Sequence, residues 1–374
     1  MILLQCHYKH KKGEILVKAV AIIAEYNPFH NGHLFHINKI KSAFPEHIIV
    51  AIMSGQFTQR GEPAFVSKFQ RAQMAIQHVD LVVELPQFYA MSYADDFAYG
   101  GVTVAHMLQA DTLSFGSESN DLKALMHEAM RLDNTEPTQR DRGYAELMSN
   151  GLKSNDILAV QYIRQGMHCP GLSFYPIQRV SNAYLDESLT GEISSATAIR
   201  KAYYDAANFQ QALPQSSLQY IADPLNKDTL FQLLKYRIVS SDLSTLRTIY
   251  TMYEGLEYRI KKYIHEARSY DHLIELLSTK RYTKARIRRL LTSILLNVPE
   301  SKPQIEAIRV LAMNEQGRHY IKHVKSACPV PIITNINKQN VHYFSLEVKA
   351  TDVYSILTGQ SQTEFNNPVI YKRP

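Results

Sequence analysis

The chain has few cysteines and no long apolar run, and each shortage excludes a class of protein. Cys6, Cys169 and Cys328 are the three cysteines in 374 residues. Their wide spacing makes neither a disulfide framework nor a metal-ligand pattern, which points to a reducing cytosol. No stretch approaches the ~20 apolar residues that a membrane-spanning helix needs. The chain opens Met1-Ile2-Leu3-Leu4 but turns polar and basic at once, through His7, Lys9, His10, Lys11 and Lys12. That opening lacks the apolar segment of a secretory signal, so a cytoplasmic location is expected. Internal repeats and low-complexity tracts are missing too.

What is present is ordinary globular composition, 45% hydrophobic and 20% charged, at a length that suits two domains. The net charge of +6 is unevenly spread. Through Asp205 there are 18 Lys and Arg against 21 Asp and Glu; from Ala206 onward there are 23 against 14. A positive field in the second part favours an anionic macromolecular partner such as RNA, although a solvated helix surface explains such charge about as well.

Periodicity sets out the elements. Lys18 to Ala24 reads as a buried strand that ends in the turn Glu25-Tyr26-Asn27-Pro28-Phe29, and a helix is predicted over Asn31 to Ala43. Further strands are predicted over His47 to Met53, Asp80 to Leu85, Thr112 to Phe115 and Phe174 to Val180. Between them lie helices over Gln70 to His78 and Asp95 to Leu108, and a helical stretch from Leu122 to Arg164 with a polar break at Asp133 to Asp141. Alternation of this kind, with strands apolar on both faces, is α/β with a Rossmann-like parallel sheet. After Ile199 helical patterns dominate, over Leu230 to Tyr236, Leu243 to Ala267 and Thr283 to Leu296, and the tail from Val330 is mixed. Two domains are therefore expected, a Rossmann-like one over residues 17–205 and a basic, mostly α-helical one over 206–374. Residues 1–16 stand ahead of the first strand as an extension, with Val17 a candidate start.

Two motifs carry the chemistry. Asn27-Pro28-Phe29-His30-Asn31-Gly32-His33 follows directly on the first strand. Its two histidines, three residues apart, share the first helical turn, and Gly32 leaves room for a ligand against the backbone. A helix start offers unpaired N–H groups to a polyphosphate, and imidazoles there can stabilise charge as pyrophosphate leaves. The pair has no cysteine or carboxylate cluster with which to finish a zinc site, so no metal-ligating residue is assigned. The second motif is Ile193-Ser194-Ser195-Ala196-Thr197-Ala198-Ile199-Arg200, where hydroxyls cap a helix and Arg200 adds a forked cation. A plain capped helix with a surface Arg is the bland alternative. Together the motifs form a candidate phosphate clamp, with His30, His33 and Arg200 as catalytic candidates.

Three other segments stand out. Ser54 to Ala64, holding Gly55, Gln56, Thr58, Gln59, Arg60 and Gly61, follows strand two at the end where α/β sheets place ligands, and it reads as a substrate contact. Lys68 and Arg71 are candidate phosphate contacts. Lys280 to Arg289 holds six basic residues in ten with no acid among them. On a helix Arg281, Lys284 and Arg288 share one face and Arg286 and Arg289 a neighbouring one, a pattern that tracks a phosphate backbone, with Tyr282 placed to stack. Lys261-Lys262 extends the patch.

These residues carry a resemblance. H-N-G-H and I-S-S-A-T-x-I-R are similar to the two motifs of the HIGH-motif nucleotidyltransferase superfamily. The run A-E-Y-N-P-F-H-N-G-H, with S-G-Q-F-T-Q-R-G-E-P-A, D-L-V-V-E-L-P, S-F-G-S-E, E-G-L-E-Y-R-I and K-R-Y-T-K-A-R-I-R-R, more closely resembles the bacterial tRNA(Met) cytidine acetate ligases, over nearly the whole chain from Val17. The resemblance implies a nucleotidyltransferase domain that activates acetate with ATP as acetyl-adenylate, releasing pyrophosphate. It also implies transfer of the acetyl group to the wobble cytidine of elongator tRNA(Met), giving N4-acetylcytidine and AMP. It implies an ATP site over Ile23, Ala24, Glu25, Tyr26, Asn27, Pro28, Phe29, His30, Asn31, Gly32, His33, Leu34, Phe35 and His36. Gly116, Asn155 and Arg179 join it, as do Ser194, Ser195, Thr197 and Arg200 of the second motif. Mg²⁺ is expected on the pyrophosphate, and Arg281, Lys284, Arg286, Arg288 and Arg289 are the expected tRNA contacts. A small-molecule adenylyltransferase of the same superfamily is the second reading, and an RNA-binding protein with a vestigial nucleotide site the third.

Overall fold

The computed structural model describes residues 17–134, 151–179, 193–221, 225–253 and 255–373. The expected extension over residues 1–16 and the last residue of the predicted Phe174 to Val180 strand lie outside these, as does most of the polar break after Asp133.

Apolar strands with no polar face need helices on both sides, and the first half of the chain supplies them. In order come β1 (Ala19–Ala24), α1 (Asn31–Ala43), β2 (Ile48–Ser54), α2 (Lys68–Ala75), β3 (Leu81–Leu85), α3 (Gln87–Ala90), α4 (Ala94–Met107) and β4 (Thr112–Ser117). Then follow α5 (Leu122–Asp133), α6 (Ser154–Gly166), β5 (Ser173–Gln178) and α7 (Ala196–Tyr204). The five strands are parallel, ordered β5-β4-β1-β2-β3, with Ala19 beside Ile48 and Val20 beside Thr112. Chain order reverses on either side of β1, since β2 lies to one side and β4 to the other. The crevice at the carboxyl ends of β1 and β4 is thus the place where such sheets bind ligands.

Beyond Asp205 the chain forms α8 (Lys227–Ser240), α9 (Leu243–Arg247), α10 (Leu256–Glu266), α11 (Tyr270–Leu277) and α12 (Lys284–Leu296), which pack on one another. The helix expected over Leu243 to Ala267 is two helices. Thr251 and Gly255 take left-handed conformations, with φ of 67° and 77°, and Tyr250 N–H is drawn to Val298 O at 2.9 Å instead of continuing the helix.

Sequence periodicity gave no sign of β6 (Ile308–Met313). This strand lies antiparallel to β3 and carries β7 (Ile332–Ile333) and β8 (Ile370–Tyr371) on the same sheet, which is mixed for that reason. Between them α13 (Glu315–Val324) sends the Tyr320 hydroxyl to Leu108 O at 2.5 Å, and α14 (Ser345–Thr358) sends that of Tyr354 to Ala64 O at 2.9 Å. The sheet is therefore shared by segments from both sides of residue 205.

Candidate functional site

A cavity of about 230 Å³ opens at the carboxyl ends of β1 and β4. The first motif forms one wall. His30 is the N-cap of α1, and its Nδ1 accepts the Gly32 N–H at 3.0 Å. In return His33 Nδ1 accepts the His30 N–H at 3.2 Å, and the two rings stack with centroids 3.7 Å apart. A capping box usually uses a hydroxyl and a carboxylate; here two imidazoles play both parts. With each Nδ1 engaged as an acceptor, the neutral ring carries its proton on Nε2, a donor suited to a phosphate oxygen.

The environment keeps these rings neutral. Burial first, then the charges of Arg179 and Arg200, push His30 down to about 3. His33 falls well below the usual range through burial, then His30, Arg179 and His36. His36 is lowered to about 4 by burial and then Arg179, and its Nε2 lies 2.9 Å from Ser114 Oγ. Tyr26, at φ 50°, packs edge-on against His33, and its buried hydroxyl lacks a partner among the described residues.

The second motif forms the facing wall. Ser195 caps α7, accepting the Ala198 N–H at 3.1 Å, and this aims the first turn of α7 at the cavity. One turn on, Arg200 Nη1 donates to Asn27 O at 2.7 Å, and its Nη2 lies 3.4 Å from Thr197 Oγ1. The two motifs, 173 positions apart in sequence, are thus joined directly.

A third wall comes from β4, β5 and α6. Arg179 crosses over Gly116, where a Cβ would stand 3.2 Å from its Cγ, and its Nη1 donates to Asn155 Oδ1 at 3.0 Å. Asn155 Nδ2 donates in turn to Glu118 Oε1 at 2.5 Å. Asp156 closes the lock by accepting the Glu118 N–H at 2.9 Å and the Ser119 N–H at 3.0 Å. Glu118 and Asp156 were not singled out from sequence, although each stands within two residues of an expected one, Gly116 and Asn155. Phe97, Phe115 and Tyr162, also not anticipated, give the cavity an apolar floor.

Most of the expected nucleotide residues converge. Ile23 through Asn27, His30, Gly32, His33, Phe35 and His36 line the cavity, with Gly116, Asn155, Arg179, Ser194, Ser195, Thr197 and Arg200. Pro28, Phe29, Asn31 and Leu34 stand beside it. Phe29 is buried on His78, and Asn31 Nδ2 holds Gln211 O at 2.9 Å.

Other expectations change. Lys68 and Arg71 do not face the cavity. Lys68 Nζ is fully buried between Glu84 and Glu364, at 2.6 and 2.5 Å. Arg71 donates to the backbone oxygens of Val66, Glu25, Ser54 and Gly55, so its fork stitches strand ends together. In the basic run α12 begins at Lys284 with Thr283 as its cap, so Arg281 and Tyr282 precede the helix, and Tyr282 is buried and cannot stack on a base. Arg281 and Lys284 are exposed. Arg286 lies over the Tyr282 ring, and Arg288 pairs with Glu62 at 3.0 Å, an acid that comes from outside the run. Arg289 Nε donates to Gln59 O at 2.7 Å. Among the described residues no helix is long and apolar enough to cross a membrane.

A Rossmann-like sheet whose switch point holds a histidine helix start and a Ser/Thr–Arg loop is the architecture of a nucleotidyl transferase. The family model described as HIGH Nucleotidyl Transferase matches residues 17–367, and the chain belongs to that family. Relatives narrow the placement. A Staphylococcus aureus (strain JH9) protein named tRNA(Met) cytidine acetate ligase is 39% identical over 376 residues, covering 95% of this chain and 99% of its own. Within the larger family the chain is a member of the tRNA(Met) cytidine acetate ligases. The crystal structure of apo Thermotoga maritima TmcAL superposes with a TM-score of 0.85 at 29% identity, over 96% of this chain and 100% of that one. TmcAL bound with alpha-thio ATP superposes at 0.83 and 28% identity, with the same coverage.

Proposed function

We propose that this protein is an ATP-dependent ligase that activates acetate as acetyl-adenylate and acetylates the wobble cytidine of elongator tRNA(Met). The observation that carries this reading is the convergence of the two motifs, tied by Arg200 to Asn27 O, on one cavity. The kinship with proteins named for this activity adds the substrates. A cytoplasmic location accords with a tRNA substrate.

ATP lies with its triphosphate between the start of α1 and Arg200. His30 and His33 donate through Nε2, the backbone N–H groups of both helix starts add partial positive charge, and Arg179 and Arg200 neutralise the leaving pyrophosphate. An acetate oxygen attacks the α-phosphorus and the bond to pyrophosphate breaks. The protein supplies no nucleophile, so its contribution is placement and electrostatics. The expected Mg²⁺ would be carried by the triphosphate and would supply further neutralisation of its charge; among the described residues no group of three His, Cys, Asp or Glu offers it a separate site.

The tRNA enters over Gln59 and Arg60, beside α12. Arg281 and Lys284 meet backbone phosphates, and Arg286, Arg288 and Arg289 add field while holding the local structure. The test supplies ATP, labelled acetate and tRNA, and follows two products. Acetate-dependent exchange of pyrophosphate into ATP, with acetyl label in tRNA, is expected; AMP transfer to a small metabolite without tRNA labelling would overturn the reading.

A further inference from the structure

Forming acetyl-adenylate moves no proton, but transferring the acetyl group does. When the N4 amine of cytidine attacks the carbonyl carbon, the new N–C bond leaves an extra proton on nitrogen, which must depart as the C–O bond to AMP breaks. A base is needed for this half of the reaction alone.

The cavity narrows the choice. His30 and His33 already use Nδ1 to accept backbone N–H groups, which makes their Nε2 atoms donors, and His36 Nε2 lies against Ser114 Oγ. Arg60, Arg179 and Arg200 are cations. Among the described residues that line the cavity, Glu25 is the one carboxylate.

Its position matches the second half-reaction. Glu25 follows β1, and Arg71 Nη1 fixes its carbonyl at 2.6 Å. Its Oε1 accepts the Gln59 N–H at 3.0 Å, the one hydrogen bond its carboxylate makes among the described residues. The same Gln59 residue, through its carbonyl, accepts from Arg289 Nε at 2.7 Å, and two residues on Gly61 O accepts from Thr292 Oγ1 at 2.7 Å. A Cβ at Gly61, where φ is +72°, would collide with the backbone of Arg288 and Arg289, so the loop and α12 touch main chain to main chain. The carboxylate therefore stands at the side of the cavity that adjoins the basic helix, one hydrogen-bonded residue away from it.

We infer that Glu25, beyond its place in the wall of the nucleotide cavity, is the proton acceptor for acetyl transfer, taking the N4 proton of the target cytidine as AMP leaves. The inference rests on the ligase reading above. During the step the N4–carbonyl bond forms, the carbonyl–O bond to AMP breaks, and the proton passes to the Glu25 carboxylate.

Glu25→Gln tests it, because the amide keeps an oxygen acceptor for the Gln59 N–H but cannot take the proton. Acetate-dependent pyrophosphate exchange reads whatever the substitution costs at the nucleotide site, and acetyl transfer to tRNA is expected to fall about a hundredfold or more beyond that loss. Glu25→Asp, which restores a carboxylate, is expected to regain part of the transfer. Transfer near the parent rate in the Gln variant overturns the inference, as does equal loss of exchange and transfer in both variants. Absence of exchange in the parent protein instead removes the ligase reading, and the inference with it.

Discussion

Four cations stand near the same strand ends, and they divide into two pairs. Lys68 and Arg71 are fully buried and spend their donors on carboxylates and main-chain oxygens. Arg179 and Arg200 are partly exposed, line the cavity, and are anchored through Nη1, to Asn155 and Asn27. Burying a cation is tolerable only when its partners are complete, so the first pair serves the fold. A guanidinium at a cavity wall can turn the edge that carries its donors to an anion, which suits the second pair to the ligand proposed for this cavity. What separates them is access to solvent, not residue type or distance from a motif.

Substitutions can break this division. Arg200→Ala should lower kcat/KM for ATP by about a hundred- to a thousandfold, on the order of 3–4 kcal/mol, with little change in melting temperature. A large loss of stability instead would move Arg200 into the structural pair. Arg71→Ala should destabilise the fold by about 3 kcal/mol, because it strands several buried carbonyls at once; a denaturant titration reads this, and an unchanged midpoint would refute the role.

The histidine wall sharpens the contrast through pH. Folded-state values of about 3 for His30 and about 4 for His36 lie below the ~6.5 of an unfolded histidine. The unfolded chain therefore binds more protons between those limits. Stability should level off above pH ~6.5 and drop as pH falls toward 4, by up to about 1.4 kcal/mol per pH unit per histidine. Denaturation midpoints from pH 4.5 to 7.5 check the slope, and a flat profile would mean that the rings are not held neutral. The smallest effect belongs to the exposed cations. Arg281→Glu with Lys284→Glu should weaken tRNA binding and lower its salt slope by about 1 for each phosphate no longer neutralised, leaving pyrophosphate exchange intact. Unchanged tRNA affinity would displace the proposed RNA surface.

Much of the site was legible because its elements are local. The helix over Asn31 to Ala43 could be bounded from sequence, since an apolar strand, a Pro-bearing turn and a polar helix start follow one another within a few positions. The Ser195 cap was readable for the same reason. Lys68 and Arg71 misled because sequence shows a charge and not its solvent. Glu364, which completes the Lys68 pair, lies near the far end of the chain. β6 was missed because six residues, apolar but for Arg309, have no period long enough to identify them among helices, and only the open edge of β3 makes them a strand.

By itself the sequence determined the parallel α/β core, the histidine helix start and the capped Ser/Thr–Arg turn, all of which depend on neighbours within one or two turns of chain. Tertiary structure alone decided which cations line the cavity and that Glu25 is held by a loop clamped to the basic helix. Those outcomes depend on desolvation and on hydrogen bonds between segments distant in sequence, and neither is written in local pattern.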